Sequence, residues 1–150
     1  MQALFPEDVA AGPRVARVDP LYREALALAK AARDYIGTGA LVDVDADAGL
    51  RLAIACETTR LVSRVSFCLA WLLGRRAVLS GEVASETASD ERWRLGGRDV
   101  CLTGPTQSAP LPRALAELLV RSDRLYRRID RLDGQLGPLP AAIASRDPAA

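Results

Sequence analysis

Three thiols and no imidazole set the chemistry open to this chain: it carries Cys56, Cys68 and Cys101, and it lacks histidine altogether. Without histidine, the commonest general base near neutral pH is missing, and so are the Ser-His and Cys-His nucleophile pairs and the commonest zinc ligand. A cysteine can act alone when its surroundings favour the thiolate. Cys56 and Cys68 fall in apolar sequence with no such help, where a small core residue is expected. Asp43, Asp45 and Asp47 alternate as in a calcium loop. An EF-hand needs Gly at its sixth position and Glu at its twelfth, and here those positions hold Ala48 and Ile54. Gly96-Gly97 follows no expected strand and lacks the lysine and further glycines of a phosphate loop. No catalytic, metal or cofactor site is therefore expected, and the chain does not read as an enzyme.

Two other constellations could bind macromolecules. Glu57, Arg60, Arg64, Phe67, Trp71 and Arg75 fall within about one quadrant of a helical wheel at 100° per residue, so a charged patch runs into an aromatic one. That grouping is either an ion pair at the edge of a core or a recognition surface with Arg and Trp anchors. Further on, Arg113, Arg121, Arg124, Arg127, Arg128 and Arg131 suggest a nucleic-acid surface. Glu117, Asp123, Asp130 and Asp133 interleave with them and no aromatic run is present for base stacking, so a solvated face with local ion pairs is favoured.

The elements that must position these groups are helices. Asp19-Pro20 reads as an N-cap followed by proline at the first helical position. Leu21, Ala25, Leu28, Ala32 and Tyr35 then recur at three and four residues until Gly37. A second helix is expected from about Ala48 to Ser80, closed by Gly81. One of its seams, Leu52, Ala55, Thr59, Val62, Ser66, Leu69, Leu73 and Ala77, alternates by three and four and is small enough for close helix packing; a second stripe runs through Leu61, Val65, Cys68, Leu72 and Leu79. Because Val65 to Leu73 is apolar nearly all round, it calls for cover on several sides, most simply by a second copy of the chain. Residues 82–91 suit a short exposed helix. Residues 93–112, with repeated Gly and Pro, read as a long irregular connector in which Val100 to Thr103 is at most a fragment of strand.

The third helix carries Leu111, Leu115, Leu118, Ser122, Leu125, Ile129, Leu132 and Leu136 at heptad spacing, with Pro112 near its start and Gly137 after its end. Ser122 is expected either to bond back to the Leu118 carbonyl or to fix register. Leu69 and Leu125 are expected core positions, where truncation to Ala would cost about 2–5 kcal/mol. The fold class that follows is all-α: an antiparallel three-helix bundle with a long central helix, a flexible leader over 1–18, a bundle domain over 19–136 and a disordered Pro- and Ala-rich tail over 137–150.

Composition agrees with a protein that meets other proteins in the cytoplasm. The net charge is +1, so no bulk field draws the chain to nucleic acid or an anionic membrane. Cys56 and Cys68 would lie about 18 Å apart on one helix, beyond disulfide reach, and the odd cysteine count suits a reducing compartment. The longest apolar stretch, Val65 to Leu73, is about half of a membrane span.

Read together, Glu57-Thr58-Thr59-Arg60-Leu61-Val62-Ser63-Arg64-Val65, Ala70-Trp71-Leu72-Leu73-Gly74-Arg75-Arg76-Ala77-Val78 and Gly81-Glu82 resemble the DUF1465 family. Leu111-Pro112, Ser122, Leu125-Tyr126, Arg128-Ile129 and Arg131-Leu132-Asp133 extend the resemblance over most of residues 50–136, although Thr58 stands where serine is expected and Val62 where threonine is. The resemblance implies a homodimeric helical adaptor that helps deliver cell-cycle regulators to a Clp-type AAA+ protease, with a tail that contributes to delivery. Pro148-Ala149-Ala150 then resembles the tags such unfoldases engage. The competing reading is a basic, nucleic-acid-associated regulator using the third helix.

Overall fold

The computed structural model describes residues 15–39, 45–84, 86–87, 90–104 and 110–136. Every regular element among them is helical: α1 (Val15–Gly37), α2 (Ala48–Leu79), a single 3-10 turn (Glu91–Trp93), the short α3 (Arg98–Cys101) and α4 (Arg113–Gln135). The expected leader and tail, apart from Val15 to Val18, lie outside the described residues.

α2 has the ends its sequence dictates. Asp47 caps it, its carboxylate accepting from the Leu50 amide at 2.8 Å. At the other end Gly81 adopts φ 79°, the left-handed conformation that glycine tolerates best. α4 likewise runs between Pro112 and Leu136. α1 departs from expectation, beginning at Val15 with Pro20 inside it. Pro20 forfeits one bond, to the Ala16 carbonyl, and the added turn buries Val18 in the core. Asp19 is no cap; it is exposed and pairs with Arg76 on α2 at 3.5 Å.

α1, α2 and α4 pack on one another around a core that includes Ala25, Leu28, Leu61, Leu72, Leu115, Leu125 and Ile129. Contacts along their length give their directions. Arg64 meets Ser122 and Trp71 meets Asp133, so α2 and α4 run the same way. Asp19 meets Arg76 and Glu24 meets Arg128, so α1 runs antiparallel to both. An all-antiparallel bundle is thus replaced by one with a crossover, and the long connector is its physical cause. Residues 93–101 travel back along α2 from Arg75 to Arg60, about 22 Å at helical rise, before α4 begins. They form a strap lying against α2 and α4.

Four local expectations are corrected. Residues 82–84 form bends and extended chain, not α-helix, and among the described residues of 82–93 helical geometry appears only as 3-10, at Thr87 and over Glu91–Trp93. The expected strand fragment at Val100 is part of α3, with Leu102 and Thr103 just beyond it. Ser122 donates to the Leu119 carbonyl, at 2.9 Å, rather than to Leu118. Leu69 is only partly buried, whereas Leu125 is fully enclosed.

Candidate functional site

α2 is built inside out. Its charged residues between Arg51 and Arg76 turn toward the protein: Glu57, Arg60 and Arg64 are buried and Arg75 is half-buried. They tolerate that position because the strap offers backbone carbonyls, and a buried cation is stable only when such acceptors satisfy it. Arg60 pairs with Glu57 and donates to the Val100 carbonyl at 3.3 Å. Arg64 donates to the carbonyls of Cys101, at 2.9 Å, and Leu119, at 3.3 Å, and pairs with Asp123 at 3.1 Å. Burial pulls the Arg64 guanidinium below its ordinary pKa, and Asp123 counters that pull. About three turns beyond, Arg75 donates to the Trp93 carbonyl at 3.0 Å and lies over the Trp71 ring, with burial again lowering its pKa against the opposing charge of Asp133.

Phe67 and Trp71 complete the row. The Phe67 ring fills the space left by Gly96 and Gly97: a Cβ on Gly96 would come within 3.0 Å of it, and one on Gly97, whose φ is 75°, would overlap it. Trp71 donates its indole N–H to Asp133 at 2.8 Å. Asp133 in turn holds Arg94 at 3.2 Å and Arg98 at 3.3 Å from the strap. Tyr126 adds a hydrogen bond to the Gly96 carbonyl at 2.6 Å. The structure therefore brings all six candidate residues together, and it turns them inward as a clamp on residues 93–101. What they leave at the surface is the edge of Phe67 and part of Arg75. Pro148, Ala149 and Ala150 lie outside the described residues.

Sequence reasoning placed Asp133 on a solvated face, whereas it is fully buried, and gave Tyr126 and the glycine pair no part in a site. A signal was present: Tyr126, Ile129 and Asp133 recur at three and four residues, which puts a carboxylate on the buried stripe of α4.

The opposite face of α2 faces solvent. Its outer seam contains Leu52, Ala55, Thr59, Val62, Ser66 and Leu73, expected to meet a neighbouring helix of the bundle, yet these six are exposed. The stripe through Leu61, Val65, Cys68 and Leu72 makes the intramolecular core instead, while Leu79 is exposed. Thr59 bonds its hydroxyl back to the Ala55 carbonyl at 2.9 Å, leaving its methyl to the surface.

Catalytic alternatives find little here. Cys68 is buried as expected, but Cys56, expected in the core with it, is exposed; burial pushes the Cys68 thiol up to about 12 and raises that of Cys101 too, which disfavours the thiolate. Among the described residues no three or more His, Cys, Asp or Glu side chains are grouped to hold a metal ion. Nor is any helix among them long and apolar enough to cross a membrane. On α4, Arg113, Arg127 and Arg128 are engaged by Glu117, Asp123 and Glu24, which lowers the charge available to a polyanion.

Comparison with known proteins adds two matches. The profile of DUF1465, a protein of unknown function, matches residues 11–150. The crystal structure of RcdA from Caulobacter crescentus CB15 is similar at 29% identity, covering 79% of this chain and 89% of that chain with a TM-score of 0.64. No curated protein matches.

Proposed function

The chain belongs to the DUF1465 family, and from that premise we propose that it is a non-enzymatic protein–protein adaptor that helps deliver cell-cycle regulators to a Clp-type AAA+ protease. One observation carries the protein-binding role: α2 exposes an uncharged seam from Leu52 to Leu73 while burying the charges of the same stretch. A soluble helix normally does the reverse, because exposed apolar area is unfavourable at roughly 25 cal/mol per Å² until a partner covers it. Delivery to a protease draws on the likeness to RcdA and on the resemblance of Pro148-Ala149-Ala150 to unfoldase-engaged tags. A homodimer in the cytoplasm belongs to the same reading.

The test is turnover. In host cells lacking this chain, a defined set of regulators should persist longer after synthesis is blocked, and the tagged chain should co-purify with the unfoldase. Removing residues 137–150 should uncouple delivery from cargo binding. Unchanged half-lives across the proteome would defeat the delivery role.

A further inference from the structure

We propose that the groove between α1 and α4, walled by Arg121, Arg124 and Arg131, is a docking site for an acidic segment of a partner protein. The proposal rests on the protein-binding reading above and gives it a second surface, on helices other than α2.

Ion pairing locates the charge that a net of +1 conceals. On α1, Asp19, Glu24 and Asp34 are held by Arg76, Arg128 and Arg33. On α4, Glu117 is held by Arg113, Asp123 by Arg64 and Arg127, Asp130 by Arg98, and Asp133 by Arg94 and Arg98. The carboxylates of the two helices are thereby taken. Arg23, Lys30, Arg121, Arg124 and Arg131 are exposed on the same helices and pair with no carboxylate among the described residues. The surface of α1 and α4 therefore keeps a positive surplus of its own. Exposed Glu82, Glu86, Glu91 and Asp99, which help to balance it in the sum, sit between α2 and α4.

Helical geometry gathers part of that surplus into a row. At 100° per residue, Arg121, Arg124 and Arg131 fall within about 80° of one another, and Arg128 falls inside that arc. Arg128 meets Glu24 of α1 at 2.7 Å, so the arc borders the groove between the two helices. On α1 the stripe of Glu24 continues through Ala27, which is exposed, and Ala31, which is half-buried. One wall is thus cationic, and the other is short and uncharged apart from Glu24, which Arg128 neutralises. A peptide segment can approach such alanines closely, and its carboxylates would meet guanidiniums over about 15 Å, the helical rise from Arg121 to Arg131.

Side-chain chemistry then narrows the occupant. A guanidinium is a planar fork that holds a carboxylate through two parallel N–H donors, and all three wall residues are arginine. Nucleic acid fits less well. Glu24 and Glu117, the latter one turn before Arg121, would repel a continuous line of phosphates, and α4 exposes no aromatic side chain for base stacking.

Fluorescence anisotropy on the full chain tests the site with a labelled peptide of about 20 residues, Ala with Glu at helical spacing, long enough to cover the arc. The same peptide with Gln for Glu and a single-stranded oligonucleotide of matching charge are the comparisons. The Glu peptide should bind, more weakly as salt rises, and the Gln peptide should not. Arg121→Gln, Arg124→Gln and Arg131→Gln together should weaken binding about tenfold, as three exposed ion pairs would. Circular dichroism should stay helical, since none of the three is paired within the fold. Arg124→Gln alone should weaken binding more than Arg92→Gln, which removes the same charge from the 3-10 turn. Equal effects of those two variants would reduce the binding to bulk charge, no preference for the Glu peptide would remove carboxylate recognition, and tighter binding of the oligonucleotide would give the groove to nucleic acid; each overturns the proposal. Neither cargo nor protease takes part, so failure here leaves the delivery role to the turnover experiment.

Discussion

Asp133 is fully buried and receives the Trp71 indole together with Arg94 and Arg98. The two sides of this cluster are unequal, because Asp133 has no access to water while both arginines retain some. Asp133→Asn leaves an acceptor for Trp71 and no buried charge, and should cost about 1–3 kcal/mol. Removing both arginines strands a carboxylate in the interior and should cost more, about 3–5 kcal/mol. Denaturant midpoints of the two variants check the order, and equal losses would mean that Asp133 is not held by those arginines. A second prediction at this scale concerns alkali. Burial raises the Cys68 thiol to about 12 and raises Cys101 and Tyr126 as well, in each case disfavouring the ionised form. Above a pH of about 8.5 the unfolded thiols lose protons that the folded protein keeps, so stability should fall as pH rises from there toward 12. Cys68→Ala should flatten that slope, as thermal melts between pH 8 and pH 11 or so would reveal.

The strap makes its own prediction at the scale of an element. Gly97→Ala faces two penalties: a left-handed φ that a side chain resists by roughly 1–2 kcal/mol, and overlap with the Phe67 ring. In a Phe67→Ala background the overlap disappears and the backbone strain stays. A double-mutant cycle should therefore show Gly97→Ala to be more costly when Phe67 is present, and equal costs would place the ring elsewhere. The strap also explains which elements were legible in the sequence. α2 and α4 announce their ends through Asp47, Gly81 and Pro112, residues whose local conformations are set within a few positions of the chain. The seam of α4 was readable as well, because its polar face is charged and only one side can be buried. α2 gave no such contrast. Its middle, Val65 to Leu73, is apolar nearly all round, and what turns Arg60 and Arg64 inward includes carbonyls on the strap, some 40 residues away in sequence for Arg60 and Val100. Periodicity reports a residue's own polarity and is blind to a distant partner that satisfies it. The six residues of the clamp were therefore identifiable as a group, but whether they faced a neighbour or their own chain was not. α1 shows the same limit on a smaller scale, since the burial of Val18 carries the helix past a proline that reads locally as a start.

At the scale of the whole molecule, the crossover and the inverted helix are one arrangement. Returning the chain alongside α2 lets α4 run parallel to it, supplies the acceptors that keep Arg60, Arg64 and Arg75 inside, and leaves α2 free to show an uncharged face on its other side. That division has a thermodynamic consequence. If two copies share the face, unfolding is coupled to dissociation, and the melting temperature must rise with protein concentration by mass action. The wild-type chain should melt higher as concentration increases over two or three decades. Val62→Glu should melt at one temperature throughout, close to the wild-type value at the dilute end, since its own bundle core of Leu61, Leu72, Leu125 and Ile129 is untouched. A core lesson behaves differently: Leu125→Ala should lower the melt at every concentration, by about 2–5 kcal/mol of stability, and keep the concentration dependence. The pair of variants separates folding within the chain from association between chains. A wild-type melt that ignored concentration would remove the second copy from the outward face of α2 and leave the bundle as described.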